Sequence, residues 1–175
     1  MKILIIGNIA SGKTTLGRKL SKQLGIPLIE IDKIREKYLH GKVSDEYFSL
    51  FHFLREAESD KSVILEFTGV GCHKYAVKRA LELSGHKVLV IVCKTSNISI
   101  LFQRLKNKKY SYKSPFNIEI RKHILFIERE LKKDLDDNFW RGKDFLVIEV
   151  SMDTPEDIDR NIVIIKNVLK QILEK

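Results

Sequence analysis

Five short runs of aliphatic and β-branched residues recur along the chain, at 3–6, 28–31, 63–65, 88–93 and 145–150. Each is mainly apolar, with a single glutamate in the second (Glu30) and fifth (Glu149), instead of alternating with polar positions. That is the pattern of strands buried on both faces of a parallel sheet. The segments between them carry apolar residues three and four apart, which predicts amphipathic helices over 13–24, about 44–58, 72–84, 96–106 and 155–173. Gly25-Ile26-Pro27 stops the first helix with glycine as its C-cap, and Ser84-Gly85-His86 stops the one before the fourth strand. Strands alternate with helices, so the fold class is α/β, with helices on both faces of the sheet.

The rhythm breaks at 106–115, where Lys-Asn-Lys-Lys-Tyr-Ser-Tyr-Lys-Ser-Pro is polar, basic and without period. This reads as a mobile loop. Beyond it, apolar residues at 116, 120, 124, 127, 131 and 135 predict a long helix. At 175 residues and 43% hydrophobic content the chain fits one domain with a sizeable core. The longest apolar runs fall far short of the ~20 residues that span a bilayer, so a soluble cytoplasmic protein is expected. Cys72 and Cys93 are far apart and lack Cys-x-x-Cys spacing, which indicates neither a disulfide framework nor a zinc site.

The first strand runs into Gly7-Asn8-Ile9-Ala10-Ser11-Gly12-Lys13-Thr14, a complete G-x-x-x-x-G-K-[ST] loop, and the first helix follows with Thr15. Such a loop turns on glycine so that successive N–H groups point at phosphate oxygens, and the helix adds the positive end of its dipole. Lys13 then reaches the β- and γ-phosphates, and the Thr14 hydroxyl ligates Mg²⁺. The cofactors expected are therefore ATP and Mg²⁺. A net charge of +9 suits anionic ligands, and a nucleoside triphosphate already qualifies. The lysines at 106, 108, 109 and 113 and at 132–133 fit solvated helix faces better than a nucleic-acid groove.

Phosphoryl transfer is mostly positioning and charge neutralisation, so the site also needs carboxylates and further cations. Ligands of open α/β sheets collect at the carboxyl ends of the strands, where Glu30 and Asp32 end the second strand and Glu66 the third. All three are expected to face Lys13. Glu30 and Asp32, two apart on an extended strand, would point to the same side. Asp32 has the structural alternative of capping a helix over 33–39. Arg104, with Lys108 one turn on, precedes the basic loop and Arg121 follows it, so a lid at about 106–120 can close over triphosphate and exclude water.

With these residues the chain resembles the nucleoside monophosphate kinase and shikimate kinase branch of P-loop proteins. The resemblance implies the P-loop NTPase three-layer sandwich with strand order 2-3-1-4-5. Leu28-Ile29-Glu30-Ile31-Asp32 is similar to the shikimate kinase pattern Phe-x-Asp-x-Asp, which implies Glu30 near Mg²⁺ and Asp32 on the acceptor hydroxyl. Thr68-Gly69-Val70-Gly71 resembles the Thr-Gly-Gly-Gly turn that contacts shikimate, which makes Gly69 an acceptor contact. Glu66 falls where adenylate kinases carry a strand-end Asp and is assigned to the acceptor side. Asp153 and Thr154 lie in a segment similar to the loop that borders adenine. The departures matter too: the shikimate-binding Phe-Arg has no counterpart in Asp45-Glu46-Tyr47-Phe48-Ser49, and the phosphate-binding arginine of adenylate kinase is missing.

The reading that fits is an ATP-dependent kinase acting on a hydroxyl of a small molecule that brings no phosphate of its own, such as a nucleoside or polyol. Its catalytic residues are Lys13, Asp32, Arg104 and Arg121. Two alternatives remain. A nucleic-acid 5′-hydroxyl kinase would use Tyr110, Tyr112 and Phe116 to stack a single strand. A nucleotide switch would show little turnover, but the guanine-reading Asn-Lys-x-Asp is missing, because Tyr110 follows Asn107-Lys108-Lys109. A monomer or homodimer is expected, and which of Glu30, Asp32 and Glu66 serves metal stays open.

Overall fold

The computed structural model describes residues 1–38, 43–107 and 119–174, without the side chains of 43, 44 and 107. The five apolar runs form β1 (Lys2–Gly7), β2 (Leu28–Glu30), β3 (Val63–Glu66), β4 (Val88–Lys94) and β5 (Phe145–Ser151). They pair in parallel in the order β2-β3-β1-β4-β5. That is the topology expected. The helices are α1 (Lys13–Leu24), α2 (Ile31–Tyr38), α3 (Val43–Glu58), α4 (His73–Leu83), α5 (Ile98–Asn107), α6 (Ile120–Asp136) and α7 (Asp157–Leu173). Among the described residues no helix is long and apolar enough to cross a membrane.

The double-sided apolar pattern explains the three layers. On β1, Leu4 and Ile6 enter the core shared with α3, α4 and α6, while Ile3 and Ile5 enter the core shared with α1 and α7. All four are fully buried. The first core closes around Trp140, whose ring meets Phe67 and Phe139 edge to face at 6.1 and 5.0 Å. Lys2 is also buried, at the start of β1, because its ammonium donates to the Glu56 carbonyl and the Ser59 hydroxyl, each at 3.0 Å.

One element differs from the sequence reading in a way that moves a candidate residue. The second strand does not run through Asp32: β2 stops at Glu30 and α2 begins at Ile31. Strand pairing ends there, with Glu30 in register with Glu66, and Ile31 turns inward to the first core. The two-residue periodicity that would have put Glu30 and Asp32 on one side therefore does not apply. The acidic first turn of α2, with Asp32 in it, also complements the positive helix end.

Candidate active site

The carboxyl ends of β1, β2 and β3 converge on the loop between Gly7 and Lys13. Gly12 ends this loop in the left-handed region at φ 93° and starts α1 with no side-chain cap, which leaves the first-turn N–H groups directed at whatever sits above the loop. Lys13 is buried and donates to the Asn8 carbonyl at 2.8 Å, with Glu66 3.8 Å away. The Thr14 hydroxyl donates to the other oxygen of Glu66 at 2.9 Å. Asn8 ties the loop to α6: its amide donates to the Ile124 carbonyl at 3.0 Å and the Glu128 carboxylate at 2.8 Å, and its side-chain oxygen accepts from Ile9 N–H at 2.8 Å. On the α6 side of the loop lies a cavity of about 260 Å³, lined by Asn8, Ser11, Thr95 and Glu128 among others.

The three candidate carboxylates are close enough to influence one another, but they divide differently from the expectation. Glu66, assigned beforehand to the acceptor, lies against Thr14 and Lys13. Glu30, assigned to metal, is instead held by Arg18 at 3.2 Å and Lys33 at 3.4 Å. The reason is geometric: β3 neighbours β1 directly, whereas β2 is one strand further out. Burial pushes the Glu66 carboxyl above the ordinary range, Lys13 and the Thr14 hydroxyl pull it back, and Asp32 and Glu30 push it up again. Asp32 is the exposed member of the three, and Arg35, one turn on, donates to it at 3.0 Å. Arg35 also holds Glu46, as does His73 at 3.4 Å. Burial raises the Glu46 carboxyl, but hydrogen bonds and charge from His73 and Arg35 outweigh it and bring it down to about 2.

Arg104 was expected on the phosphates. Its guanidinium instead donates to the carbonyls of Met152 at 2.7 Å and Asp153 at 3.0 Å and reaches that of Ala10 at 3.5 Å, so it bridges the phosphate loop to the loop after β5. Arg121 sits with its guanidinium 5.7 Å from the Phe102 ring centre. Asp153 accepts from Ser96 N–H at 2.7 Å and the Ser151 hydroxyl at 3.1 Å, which staples the ends of β4 and β5 together. Thr154 N–H donates to Asp157 at 2.8 Å, and Thr15 is exposed on α1. Gly69 has φ 85°, and a Cβ there would lie 2.7 Å from the Cβ of Ile6, so this turn after β3 can sit against β1 only as glycine. Lys108 and most of the expected lid lie outside the described residues.

Sequence reasoning did not single out Arg18, Arg35 or Glu46, nor the contact of Asn8 with α6. Arg35 carried a weak signal, since Asp32 and Arg35 are three apart on one helix face. Nothing in the sequence pointed to Glu46.

Comparison with known proteins gives the family. A protein-family profile described as an AAA domain matches residues 3–128. A shikimate kinase of Flavobacterium psychrophilum is 31% identical over 167 residues, covering 90% of this chain and 94% of that one. The chain belongs to the P-loop family of the shikimate and adenylate kinases. An adenylate kinase isoenzyme 6 homolog of Caenorhabditis elegans is 26% identical over 171 residues, covering 91% of this P-loop kinase and 84% of the homolog. Among solved structures, a shikimate kinase from Bacteroides thetaiotaomicron superposes with a TM-score of 0.66 at 19% identity, over 97% of this kinase and 98% of that chain. A deoxyadenosine kinase from M. mycoides gives 0.64 at 18%, over 98% and 100%. Both share its fold.

Proposed function

We propose that this kinase transfers the γ-phosphoryl group of Mg²⁺-ATP to a hydroxyl of a small acceptor that carries no phosphate. The observation that carries this reading is a pair of carboxylates from neighbouring strands: Glu66, at the end of β3, is buried on Thr14 and Lys13, and Asp32, just past the end of β2, is exposed at the start of α2. Thr14 and Glu66 bring two hard oxygen atoms together, a donor set that suits Mg²⁺. Lys13 and the N–H groups of the loop suit the phosphates. When bound, the metal ion spreads the charge that develops on the phosphoryl oxygens.

This reading divides the work among the chain's own residues. Glu66 and Thr14 serve the metal side. Asp32 orients the acceptor hydroxyl and takes its proton, and Gly69 gives the acceptor turn its close seat on β1. Arg104, Lys108 and Arg121 neutralise phosphate charge when a lid at about 106–120 closes, with Arg104 first leaving its carbonyl partners. Asp153 and Thr154 border adenine.

The engagement of the described cations at the end of β2 supports an acceptor without phosphate. Arg18 and Lys33 are committed to Glu30, and Arg35 to Glu46 and Asp32 itself. The cysteines Cys72 and Cys93 are both free thiols, which suits a cytoplasmic enzyme, as monomer or homodimer. The test is ADP release from ATP in a coupled assay with nucleosides, sugars, polyols, small acids and 5′-hydroxyl oligonucleotides. Acceptor-dependent turnover with a small hydroxyl compound supports the reading. Turnover with oligonucleotides alone, or with none of the panel, overturns it.

A further inference from the structure

Glu46 is the least exposed carboxylate among the described residues, at 1%. Among the described residues its partners are Arg35 and His73. Its two oxygens accept from one edge of the Arg35 guanidinium: Nε donates at 2.8 Å to Oε2 and 3.1 Å to Oε1, and Nη2 donates to Oε1 as well. Nη1, on the other edge of the same guanidinium, donates to Asp32 Oδ1 at 3.0 Å. His73, at the start of α4, lies 3.4 Å from Glu46 Oε1 and adds a second partner there.

An exposed Asp–Arg pair three apart on a helix contributes at most about 1 kcal/mol and leaves both side chains mobile. Here the arginine cannot wander. Its side chain is only 17% exposed, while Asp32 is 60% exposed. A planar fork held along one edge by a buried carboxylate presents its other edge in one direction, which a lysine could not do. Keeping a charged pair buried is costly in stability, and such a cost is retained where it fixes a geometry. The low proton affinity of Glu46 agrees, since it stays ionised over the working range.

We propose that Arg35, clamped by Glu46, is a positioning residue that holds Asp32 through Oδ1 and leaves Oδ2 to take the proton of the acceptor hydroxyl. This rests on the reading of Asp32 given above. In the transfer step the acceptor oxygen bonds to the γ-phosphorus and the bond from that phosphorus to the bridging oxygen of ADP breaks. The hydroxyl proton passes to Asp32 Oδ2. Glu46 touches none of these atoms and acts two residues away from the chemistry.

The test uses whichever small hydroxyl compound of the panel above (nucleosides, sugars, polyols and small acids) the wild-type kinase phosphorylates fastest, with kinetics for Glu46→Gln, Arg35→Lys, Asp32→Asn and the Glu46→Gln/Asp32→Asn double variant. Glu46→Gln should lower kcat about 10- to 100-fold, the scale of a misplaced reacting group, with both KM values within about threefold of wild type. Arg35→Lys should do the same, and it carries the test alone if thermal melting shows that Glu46→Gln is unfolded. In the Asp32→Asn background the loss from Glu46→Gln should vanish, because nothing is left to position. Equal losses in both backgrounds overturn the inference. So does a rise in acceptor KM with kcat unchanged, which would make Arg35 a direct grip on the acceptor. Wild-type turnover with such losses overturns this inference alone, whereas a wild type that phosphorylates no small hydroxyl compound of the panel overturns both it and the reading beneath it.

Discussion

Thr14 on the phosphate loop donates its hydroxyl to Glu66 at the end of β3 across 2.9 Å, although 52 residues separate them in the chain. The contact exists because β1 and β3 are neighbours in the sheet, with Ile5 in register with Glu66. It draws the strand-end carboxylate to the helix that the phosphate loop opens.

Replacing Glu66 with Gln separates its structural and functional effects. Burial holds the Glu66 carboxyl above its ordinary range. A carboxyl with a raised folded-state pKa contributes its stability at low pH and loses it as pH rises through that pKa, so at neutral pH the ionised form weakens the fold. Glu66→Gln keeps an oxygen for Thr14 and removes that cost. The ligand-free variant should melt higher than wild type at pH 7, with the gap closing on acidification, while its affinity for Mg²⁺-ATP falls about tenfold or more. Calorimetric melting and Mg²⁺ titrations check both. A lower melting temperature at pH 7 counts against the assignment.

Lys13→Ala should fold and lose turnover, by roughly the 10²–10³-fold typical of removing one donor to a developing charge. The ammonium rests on the Asn8 carbonyl at 2.8 Å, a contact the loop can lose without losing β1 or α1. Circular dichroism and a coupled ADP assay measure the two parts. Unchanged turnover would mean the phosphates bind elsewhere.

Arg104→Ala should weaken ATP about tenfold, or roughly 1.4 kcal/mol, because Arg104 links the carbonyls of Met152 and Asp153 to the phosphate loop. ATP should also bind more tightly than GTP to the wild type. Titration with each nucleotide checks this, and tighter GTP binding would contradict the adenine assignment.

Acid should unlock the Glu46 clamp. The folded-state value of about 2 lies below the ordinary 4.5. A lowered carboxyl stabilises above its unfolded pKa, so the contribution is complete above about pH 4.5 and lost as pH falls toward 2. Glu46→Gln should melt below wild type at pH 6, and the two should converge near pH 2. A gap that stays constant across that range would show that Glu46 is not ionised in the fold.

Much of the fold was legible because the signals were local. The apolar runs of β1, β3 and β4 carried their own two-sided burial, and Gly12-Lys13-Thr14 marked the loop and the start of α1. The error at Asp32 came from extending strand periodicity two residues beyond the point where pairing with β3 ends. Motif spacing did not tell which carboxylate lies against Lys13: it ranks carboxylates along the chain, whereas distance from Lys13 is set by strand order, which brings Glu66 there and leaves Glu30 on Arg18 and Lys33. Arg104 stands on the helix foreseen for it, but its partners are carbonyls, which no side-chain pattern advertises. Glu46 was invisible because a buried charge is recognised only by what surrounds it, and Arg35 and His73 come from two other helices.

The division of labour between Asp32 and Glu66 is the centre of this account. It is tested most directly by the transfer rate of Asp32→Asn at saturating Mg²⁺-ATP, with the nucleotide dissociation constant taken from the same preparation. The affinity should stay within about threefold of wild type while the rate falls by roughly 10²–10⁴, the range of a lost general base. A variant that loses Mg²⁺-ATP affinity would move Asp32 to the metal side, and one with unchanged rate would leave it a helix-terminal acid with no part in transfer.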